Sequence, residues 1–291
     1  MPTQVAAKVV GAYELPGEAV FPESIGVDAA TGDAYVGSLA DGTLYRLTSA
    51  DKAELWGARG QDGRGSVAGV KVDARRRLWA AGGNDGTLWV YDLASRGLLA
   101  RLTTGARPSL VNDIVFGPHG EAYVTDSLAP VLLRADGDPL ALHRWVDLAA
   151  SGVPWPAGLN FNGIVPAPDG RHVVACQTNL GRFWRVDLAN RKVGEVALDG
   201  GPLEHCDGLA VSGTALYIAV NARNLVAVAD LAEDGSAARV HTILRSDAFA
   251  FPTAVAVSGG RLLVVNGQLD KMGGRPRLPF TVLAVAIPET W

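Results

Sequence analysis

The sequence contains very little cysteine. Its 291 residues include only Cys176 and Cys206, which lie far apart and in no CxxC pair. Two distant thiols do not form the disulfide framework of a small secreted domain, and they provide no closely spaced pair for zinc. Because free cysteine packs as a small apolar residue, we predict that both are buried thiols.

Long apolar runs and strong charge are also missing. No stretch approaches the ~18 apolar residues that a membrane span requires, and residues 1–15 lack the charged start and apolar run of a signal peptide. The formal net charge is only -4, with 19% charged residues, so nothing favours nucleic-acid binding. We therefore expect a cytoplasmic protein with a small-molecule substrate and no nucleic-acid or membrane partner, as a monomer or small homo-oligomer.

The sequence has no segment with the pattern of a long amphipathic helix. Its 35 glycines and 16 prolines are spread along the chain rather than clustered. Many short strands joined by tight turns require that distribution. The composition therefore favours an all-β fold.

A repeat explains how those strands and turns are arranged. Six units share one pattern: a short apolar strand, a turn, a second strand, a polar turn and a third strand. The units begin 44 to 50 residues apart, at Glu23, Ala68, Asn112, Asn162, Asp207 and Thr253. A period of about 40–50 residues with several strands per unit is typical of a β-propeller. The sequence therefore predicts one domain, residues 1–291, folded as an all-β six-bladed β-propeller.

The fourth, outer strand of each blade is expected between the units, for example at residues 98–102 and 143–148. The last unit has no such stretch after it, whereas residues 5–15 form a strand-like segment before the first unit. We predict that this N-terminal strand completes the sixth blade, which removes the open edge at the seam of the ring.

The first position of the repeat holds mostly polar residues. The first strand of each blade in a propeller lines the central channel, so equivalent residues surround one axis. Two carboxylates buried together are unfavourable without a cation, because both lose hydration and they repel each other. We therefore predict a site for one divalent cation formed by Glu23, Asn112, Asn162 and Asp207.

All four of these side chains provide oxygen ligands, a set that suits a hard ion. Calcium is favoured because it accepts irregular geometry, with magnesium, zinc and manganese as alternatives. The competing interpretation is that these side chains cap strand starts through hydrogen bonds to the backbone. That interpretation accounts for any one of the residues but not for four at the same repeat position.

Other residues are predicted near the mouth of the channel. His205, two residues before Asp207, is a candidate proton shuttle or substrate contact, or a hydrogen-bonded wall residue. Trp155 is a candidate apolar wall for a substrate, or a seal at the edge of the core. Its loop, residues 149–159, and the loop after Asn266 are expected on the face where first strands begin. Four further candidates for substrate contact lie near the ends of second strands: Ser38, Asp126, Gln177 and Asn221.

The strings that open the units are similar to those of a known family. ES at 23–24, VND at 111–113, NG at 162–163 and DG at 207–208 resemble the regucalcin/gluconolactonase family, also called the senescence marker protein family, over nearly the whole chain. The strings YVGSLADGTLYR, VNDIVF and LPFTV most closely resemble a bacterial branch of it. The resemblance implies a six-bladed propeller with one catalytic divalent metal, commonly hydrolysing lactones.

The resemblance also implies a role for each matching residue. Glu23, Asn162 and Asp207 match the family's metal ligands, Asn112 matches an asparagine on the substrate side of the metal, and Asp207 matches the general base. The sugar-lactone hydrolases have an arginine two residues before the position of Asn112, where this sequence has Leu110. Leu110 is therefore a candidate substrate contact, and we expect a preference for less hydroxylated or more apolar lactones over gluconolactone.

Three functions fit these features. The first is a metal-dependent hydrolase that opens a lactone or related ester. The sequence has neither a GxSxG nucleophile motif nor an HExxH motif, so nothing points to an alternative nucleophile. The second keeps the metal but changes the chemistry, to phosphotriester hydrolysis or a non-hydrolytic reaction. The third is a non-enzymatic binding propeller with a structural calcium.

Overall fold

The computed structural model describes residues 1–48 and 52–288 of the chain. Six small sheets, each with a core of four antiparallel strands, surround one channel. This confirms the six-bladed β-propeller that the repeat predicts. Helix occurs within the described residues only as three short 3-10 turns, at Gln61–Gly63, Asn221–Arg223 and Leu269–Lys271. None of the helices described is long and apolar enough to cross a membrane.

The chain begins with two strands that join the last two blades, β1 (Thr3–Ala6) and β2 (Val9–Leu15). Blades 1 to 3 then follow, each running from its inner to its outer strand in chain order. Blade 1 contains β3 (Pro22–Val27), β4 (Ala34–Ser38), β5 (Leu44–Leu47) and β6 (Ala53–Gly57). Blade 2 contains β7 (Gly69–Val72), β8 (Arg77–Ala81), β9 (Thr87–Asp92) and β10 (Leu98–Thr103). Blade 3 contains β11 (Val111–Phe116), β12 (Ala122–Asp126), β13 (Val131–Asp136) and β14 (Ala141–Asp147).

Blades 4 to 6 follow the same order. Blade 4 contains β15 (Phe161–Pro166), β16 (His172–Gln177), β17 (Arg182–Asp187) and β18 (Val193–Glu195). A short strand, β19 (Ala197–Asp199), then leads to blade 5, which contains β20 (Cys206–Ser212), β21 (Ala215–Val220), β22 (Leu225–Leu231) and β23 (Ala237–Arg245). Blade 6 contains β24 (Pro252–Ser258), β25 (Arg261–Asn266) and β26 (Phe280–Ala286), and β2 is its outer strand.

The N-terminal segment closes the ring, as predicted, but it does so with two strands rather than one. Strand β2 pairs antiparallel with β26, with Tyr13 opposite Val282, and completes blade 6. Strand β1 instead lies parallel to β23 at the outer edge of blade 5. The single strand expected over residues 5–15 is therefore divided between two blades. The two halves of the segment together link blades 5 and 6 at the seam.

The core consists of apolar layers between neighbouring blades. Second and third strands are buried on both faces, so β21 (ALYIAV) is apolar throughout, whereas the outer strand β10 (LLARLT) is mostly exposed. A strand covered on both faces requires such a continuous apolar run. Cys176 and Cys206 are free and fully buried in the layer between blades 4 and 5, which confirms that they are buried thiols.

The inner strands β3, β7, β11, β15, β20 and β24 form a closed ring, in which each strand contacts the next and β24 contacts β3. Glycine permits this close approach. A Cβ atom on Gly69 would lie 1.9 Å from the carbonyl oxygen of Asn112, and one on Gly163 would lie 2.3 Å from that of Asp207. Backbone contact therefore fixes the radius of the ring and the spacing of the side chains that face the channel.

Replacement of Gly69 by alanine tests this close approach. Because the new Cβ meets backbone that cannot rotate away, we expect Gly69→Ala to lower the free energy of unfolding by about 1–3 kcal/mol or more. Gly11→Ala on β2 is the matched control, since its Cβ would lie 3.8 Å from that of Ala284, and it should change stability by less than about 1 kcal/mol. Urea denaturation measures both values. Equal stability of the two variants would show that the inner strands are not in tight backbone contact.

Candidate metal centre

The four residues predicted to bind a cation lie at the beginning of four inner strands, at one end of the channel. Glu23 is on β3, Asn112 on β11, Asn162 on β15 and Asp207 on β20, and each is only 3–7% exposed. Since these positions are equivalent in a closed ring, the structure places all four around one axis. Ala68 and Thr253 occupy the corresponding positions of the other two blades.

A β-bulge occurs at each of the four positions. The register between first and second strand shifts at Pro22/Ser24, Val111/Ile114, Phe161/Ile164 and Cys206/Leu209. A bulge places two residues opposite one and changes the direction of their side chains, which is why bulges are common next to active sites. Each candidate ligand lies within one of these shifts.

Hydroxyl side chains orient the two amides. The Nδ2 atom of Asn112 donates to Ser127 Oγ at 3.0 Å, and that of Asn162 donates to Thr178 Oγ1 at 3.2 Å. Each hydroxyl in turn donates to a backbone carbonyl of the next blade, at 2.6 and 2.7 Å respectively. Because the NH2 side of each amide faces a hydroxyl, its carbonyl oxygen is directed away from that partner. A hard cation binds that oxygen.

The carboxylate of Asp207 is only half satisfied. Its Oδ2 atom accepts a hydrogen bond of 2.7 Å from Asn221 Nδ2, whereas the buried Oδ1 has no partner among the described residues. Arg134 Nε and Asn179 Oδ1 share that condition, but neither belongs to an inner strand. A buried carboxylate oxygen without a partner is costly. A cation at this position would remove that cost, so the residues fit the predicted ion.

Burial also changes the acidity of both carboxyl groups. Desolvation, followed by the negative charges of Asp207 and Asp113, raises the pKa of Glu23 well above its usual value, while the Lys71 ammonium acts in the opposite direction. Burial raises the pKa of Asp207 to about 7, although the hydrogen bond from Asn221 opposes that rise. Burial is the largest cause of both shifts, so the ionised form of each carboxyl group is poorly solvated inside the channel.

The donor set differs from that of a soft-metal site. Within residues 1–48 and 52–288, no three or more His, Cys, Asp or Glu side chains are grouped to hold an ion. The candidate centre combines two carboxylates with amide oxygens instead. This composition suits calcium better than the transition metals, which favour imidazole or thiolate.

Two charged residues that the sequence analysis did not identify form an ion pair between neighbouring inner strands. Lys71 Nζ is 2.5 Å from Asp113 Oδ1, and Asp113 Oδ2 accepts a hydrogen bond of 3.2 Å from the backbone N–H of Ile164. Lys71 belongs to β7 and Asp113 to β11. The sequence feature that could have identified both residues is a charged side chain within an otherwise apolar inner strand.

Of the four candidates at second-strand ends, the structure brings Asn221 to the centre. The others hold the loop that leads into their own blade. Ser38 Oγ donates to Val20 O at 2.7 Å, and Gln177 Nε2 donates to Pro154 O at 2.7 Å. Asp126 Oδ1 accepts from the backbone N–H of Leu110 at 2.9 Å.

A difference of one residue explains this outcome. Ser38, Asp126 and Gln177 are the last residues of their strands, whereas Asn221 follows the last residue of β21. Side chains alternate in direction along a strand, so one step along the chain changes the side that a residue faces. The residues equivalent to Asn221 are Ser127 and Thr178, which orient the amides and which the sequence analysis missed.

The other candidates lie around the mouth of the channel. Leu110 is half-buried. Trp155 is also half-buried, donates from Nε1 to Leu128 O at 3.1 Å and packs on Phe161 with ring centres 5.5 Å apart, which matches its interpretation as a seal on the core. His205 is exposed and precedes β20 with a φ of 68°, so strand alternation does not place it on the side of Asp207.

The two ends of the channel differ in chemistry. The loops at 149–159 and after Asn266 lie at the end where inner strands begin, as predicted, because one precedes β15 and the other follows β25. At the opposite end, a cavity of about 330 Å³ is lined by all six inner strands and is apolar apart from Lys71. The candidate centre is therefore at the polar end.

The comparisons with known proteins identify the fold. No protein-family model matches the chain, and no curated protein matches it in sequence. Regucalcin from Agrobacterium tumefaciens, a calcium-binding protein, is similar in structure, with a TM-score of 0.69, 17% identity and coverage of 99% of this chain and 97% of that one. The major allergen Mala s 1 of Malassezia sympodialis has a TM-score of 0.71, 15% identity and coverage of 94% and 95%. Virginiamycin B lyase from Staphylococcus aureus has a TM-score of 0.65, 11% identity and coverage of 94% and 83%.

The raised pKa of Asp207 predicts a pH dependence of stability in chelator-treated protein. Its folded pKa of about 7 exceeds the unfolded value of about 3.9. The stabilisation from the extra bound proton is complete below about pH 4 and is lost as the pH rises through 7. Asp207→Asn has no such loss, so we expect it to gain about 3 kcal/mol relative to wild type between pH 5 and pH 8.

Urea unfolding at the two pH values, with chelator present, measures this change. Asp199→Asn, which replaces an exposed carboxylate, is the control and should show no comparable gain. If the stability difference between Asp207→Asn and wild type is the same at pH 5 and pH 8, the Asp207 carboxyl is not the group that titrates.

Proposed function

We propose that the chain is a metal-dependent hydrolase that opens a lactone or related carboxylic ester at the polar end of the channel. The observation that carries the proposal is the buried Asp207 Oδ1 atom on the inner strand β20, which has no partner among the described residues and which a cation would satisfy. The calcium-binding function of regucalcin, which has a similar fold, supports the choice of ion.

Four side chains would hold the ion: Glu23, Asn112, Asn162 and Asp207. A bound divalent cation polarises the carbonyl of an ester and stabilises the negative charge that develops on its oxygen. The amides are fixed before any ligand binds, because Ser127 and Thr178 already hold their NH2 groups. Such preorganisation lowers the cost of binding.

Asp207 is the proposed general base. The hydrogen bond from Asn221 fixes Oδ2, so Oδ1 is the oxygen that would face the ion, and its second lone pair would accept a proton from a water that attacks beside the ion. A base is most effective when its pKa is near the working pH, and burial brings the pKa of Asp207 to about 7 in the protein alone. Asn112 is proposed to contact the substrate beside the ion.

The substrate is proposed to be a lactone with few hydroxyl groups. Leu110 is half-buried, and by the resemblance it stands where the sugar-lactone hydrolases have an arginine, so it would offer an apolar side chain in place of a hydrogen-bonding one. A buried hydroxyl without a partner costs affinity, whereas an alkyl or aryl group gains from such a surface. His205, exposed at the mouth, is available as a further contact.

A non-hydrolytic reaction at the same ion is the second candidate. The observation that favours it is the similarity of the fold to virginiamycin B lyase, which is catalytically inactive when a histidine is replaced by alanine. His205 is the histidine nearest in sequence to the candidate ligands here. This reading predicts loss of activity in His205→Ala and elimination products rather than hydrolysis products.

A substrate panel separates these functions. Lactones, aryl esters and phosphotriesters are assayed with and without chelator, and circular dichroism monitors the fold. The proposal requires turnover of a lactone or carboxylic ester that chelation abolishes in folded protein. Turnover of phosphotriesters alone would indicate phosphotriester hydrolysis instead of ester hydrolysis. The absence of metal-dependent turnover across the panel would favour a binding propeller.

Two conservative substitutions distinguish a residue that only binds the metal from the residue that acts as general base. Asp207→Asn keeps an oxygen ligand of the same size but removes the basic lone pair, so kcat at saturating calcium should fall by about 100- to 10,000-fold. Glu23→Gln should weaken calcium affinity first and recover part of its activity as calcium is raised. The measurement is kcat of both variants with metal occupancy determined independently. Turnover of metal-loaded Asp207→Asn within a few-fold of wild type would make Asp207 only a ligand, with His205 the next candidate for the base.

A further inference from the structure

The charged residues of the inner strands form one group. Among all six inner strands, the charged side chains are Glu23 on β3, Lys71 on β7, Asp113 on β11 and Asp207 on β20, while β15 and β24 carry none. Both Lys71 and Asp113 influence the charge state of Glu23, and Asp113 influences that of Asp207. The Lys71–Asp113 pair therefore acts on the charge of Glu23, and Asp113 also acts on that of Asp207.

Asp113 is fixed in place by two neighbouring blades. Its side chain is about 5% exposed, with Oδ1 2.5 Å from Lys71 Nζ of blade 2 and Oδ2 accepting the Ile164 N–H of blade 4. The backbone of Lys71 is fixed by β3, since a Cβ on Gly26 would lie 2.7 Å from the Cα of Lys71. The ion pair therefore connects blades 2 and 3, and Asp113 also binds blade 4.

The ion pair determines how much charge the centre presents. Three carboxylates and one ammonium leave two net negative charges. Without Lys71 the same strands would carry three, and without Asp113 they would carry one. Asp113 follows the candidate ligand Asn112 on β11, and its negative charge acts on both candidate carboxylate ligands, Glu23 and Asp207.

We propose that the Lys71–Asp113 pair sets the charge selectivity of the centre, by cancelling one carboxylate so that the site matches a divalent rather than a trivalent cation. This inference rests on the proposed metal site, and it assigns to Lys71 and Asp113 a role in ion selection rather than in catalysis. The electrostatic energy of an ion scales with its own charge, so a change of one unit in the protein alters trivalent binding more than divalent binding.

Competitive titration with calcium and terbium tests the proposal without any assay of activity. The measured quantity is the ratio of the association constants of Tb³⁺ and Ca²⁺. Lys71→Met should raise this ratio by about tenfold or more, and Asp113→Asn should lower it by a similar factor. The double variant Lys71→Met/Asp113→Asn restores two net negative charges, and its ratio should return to within about threefold of wild type.

Lys71→Arg is the matched control, because it keeps the charge and should keep the ratio. Circular dichroism and thermal unfolding establish that each variant is folded, and if Lys71→Met does not fold, Asp113→Asn and the double variant carry the test. An unchanged ratio in folded Lys71→Met or Asp113→Asn would overturn the role of the ion pair while leaving the metal site intact. Failure of wild type to bind either ion would overturn both.

Discussion

The burial of the Glu23 and Asp207 carboxylates inside a ring of fixed radius is the constraint on which the candidate site depends. Backbone contact between inner strands, permitted by Gly69 and Gly163, fixes the distance across the channel. The carboxylates cannot separate to reduce their repulsion, and solvent reaches them poorly because each is under 10% exposed. A cation bound between the two carboxylates would relieve that repulsion without any change in the backbone.

Hydroxyl residues next to the channel hold the candidate amide ligands in position. Ser127 and Thr178 orient the amides of one blade while bonding the backbone of the next, so each ligand position is coupled to its neighbour. The residues that precede them in sequence instead hold the incoming loops. The second strands of blades 3 and 4 thus end in two adjacent residues with different roles: Asp126 and Gln177 hold the incoming loops, and Ser127 and Thr178 orient the amides.

Much of this arrangement could be predicted from the sequence because the propeller repeats. The spacing of the units predicted six blades, and the equivalence of positions in a ring predicted which first-strand residues meet at one axis. The bulges could not be predicted, since they change the direction of side chains without any marker in the apolar pattern. The ends of the second strands could not be located to one residue either, so Asp126 and Gln177 were chosen in place of Ser127 and Thr178, and Asp113 was overlooked beside Asn112. The division of the N-terminal segment between two blades was missed for a related reason: both halves are strand-like, and only pairing partners distant in sequence separate them.

The most direct test of the central claim is calorimetric titration of chelator-treated protein with calcium, together with metal analysis of protein purified without chelator. We expect one calcium ion per chain, bound in wild type and weakened by at least tenfold when Glu23 is replaced by glutamine. We expect the weaker affinity because the loss of one buried carboxylate removes one of the two net negative charges that the ion neutralises. No detectable binding at millimolar calcium, with no divalent ion in the purified protein, would contradict a metal centre in this channel.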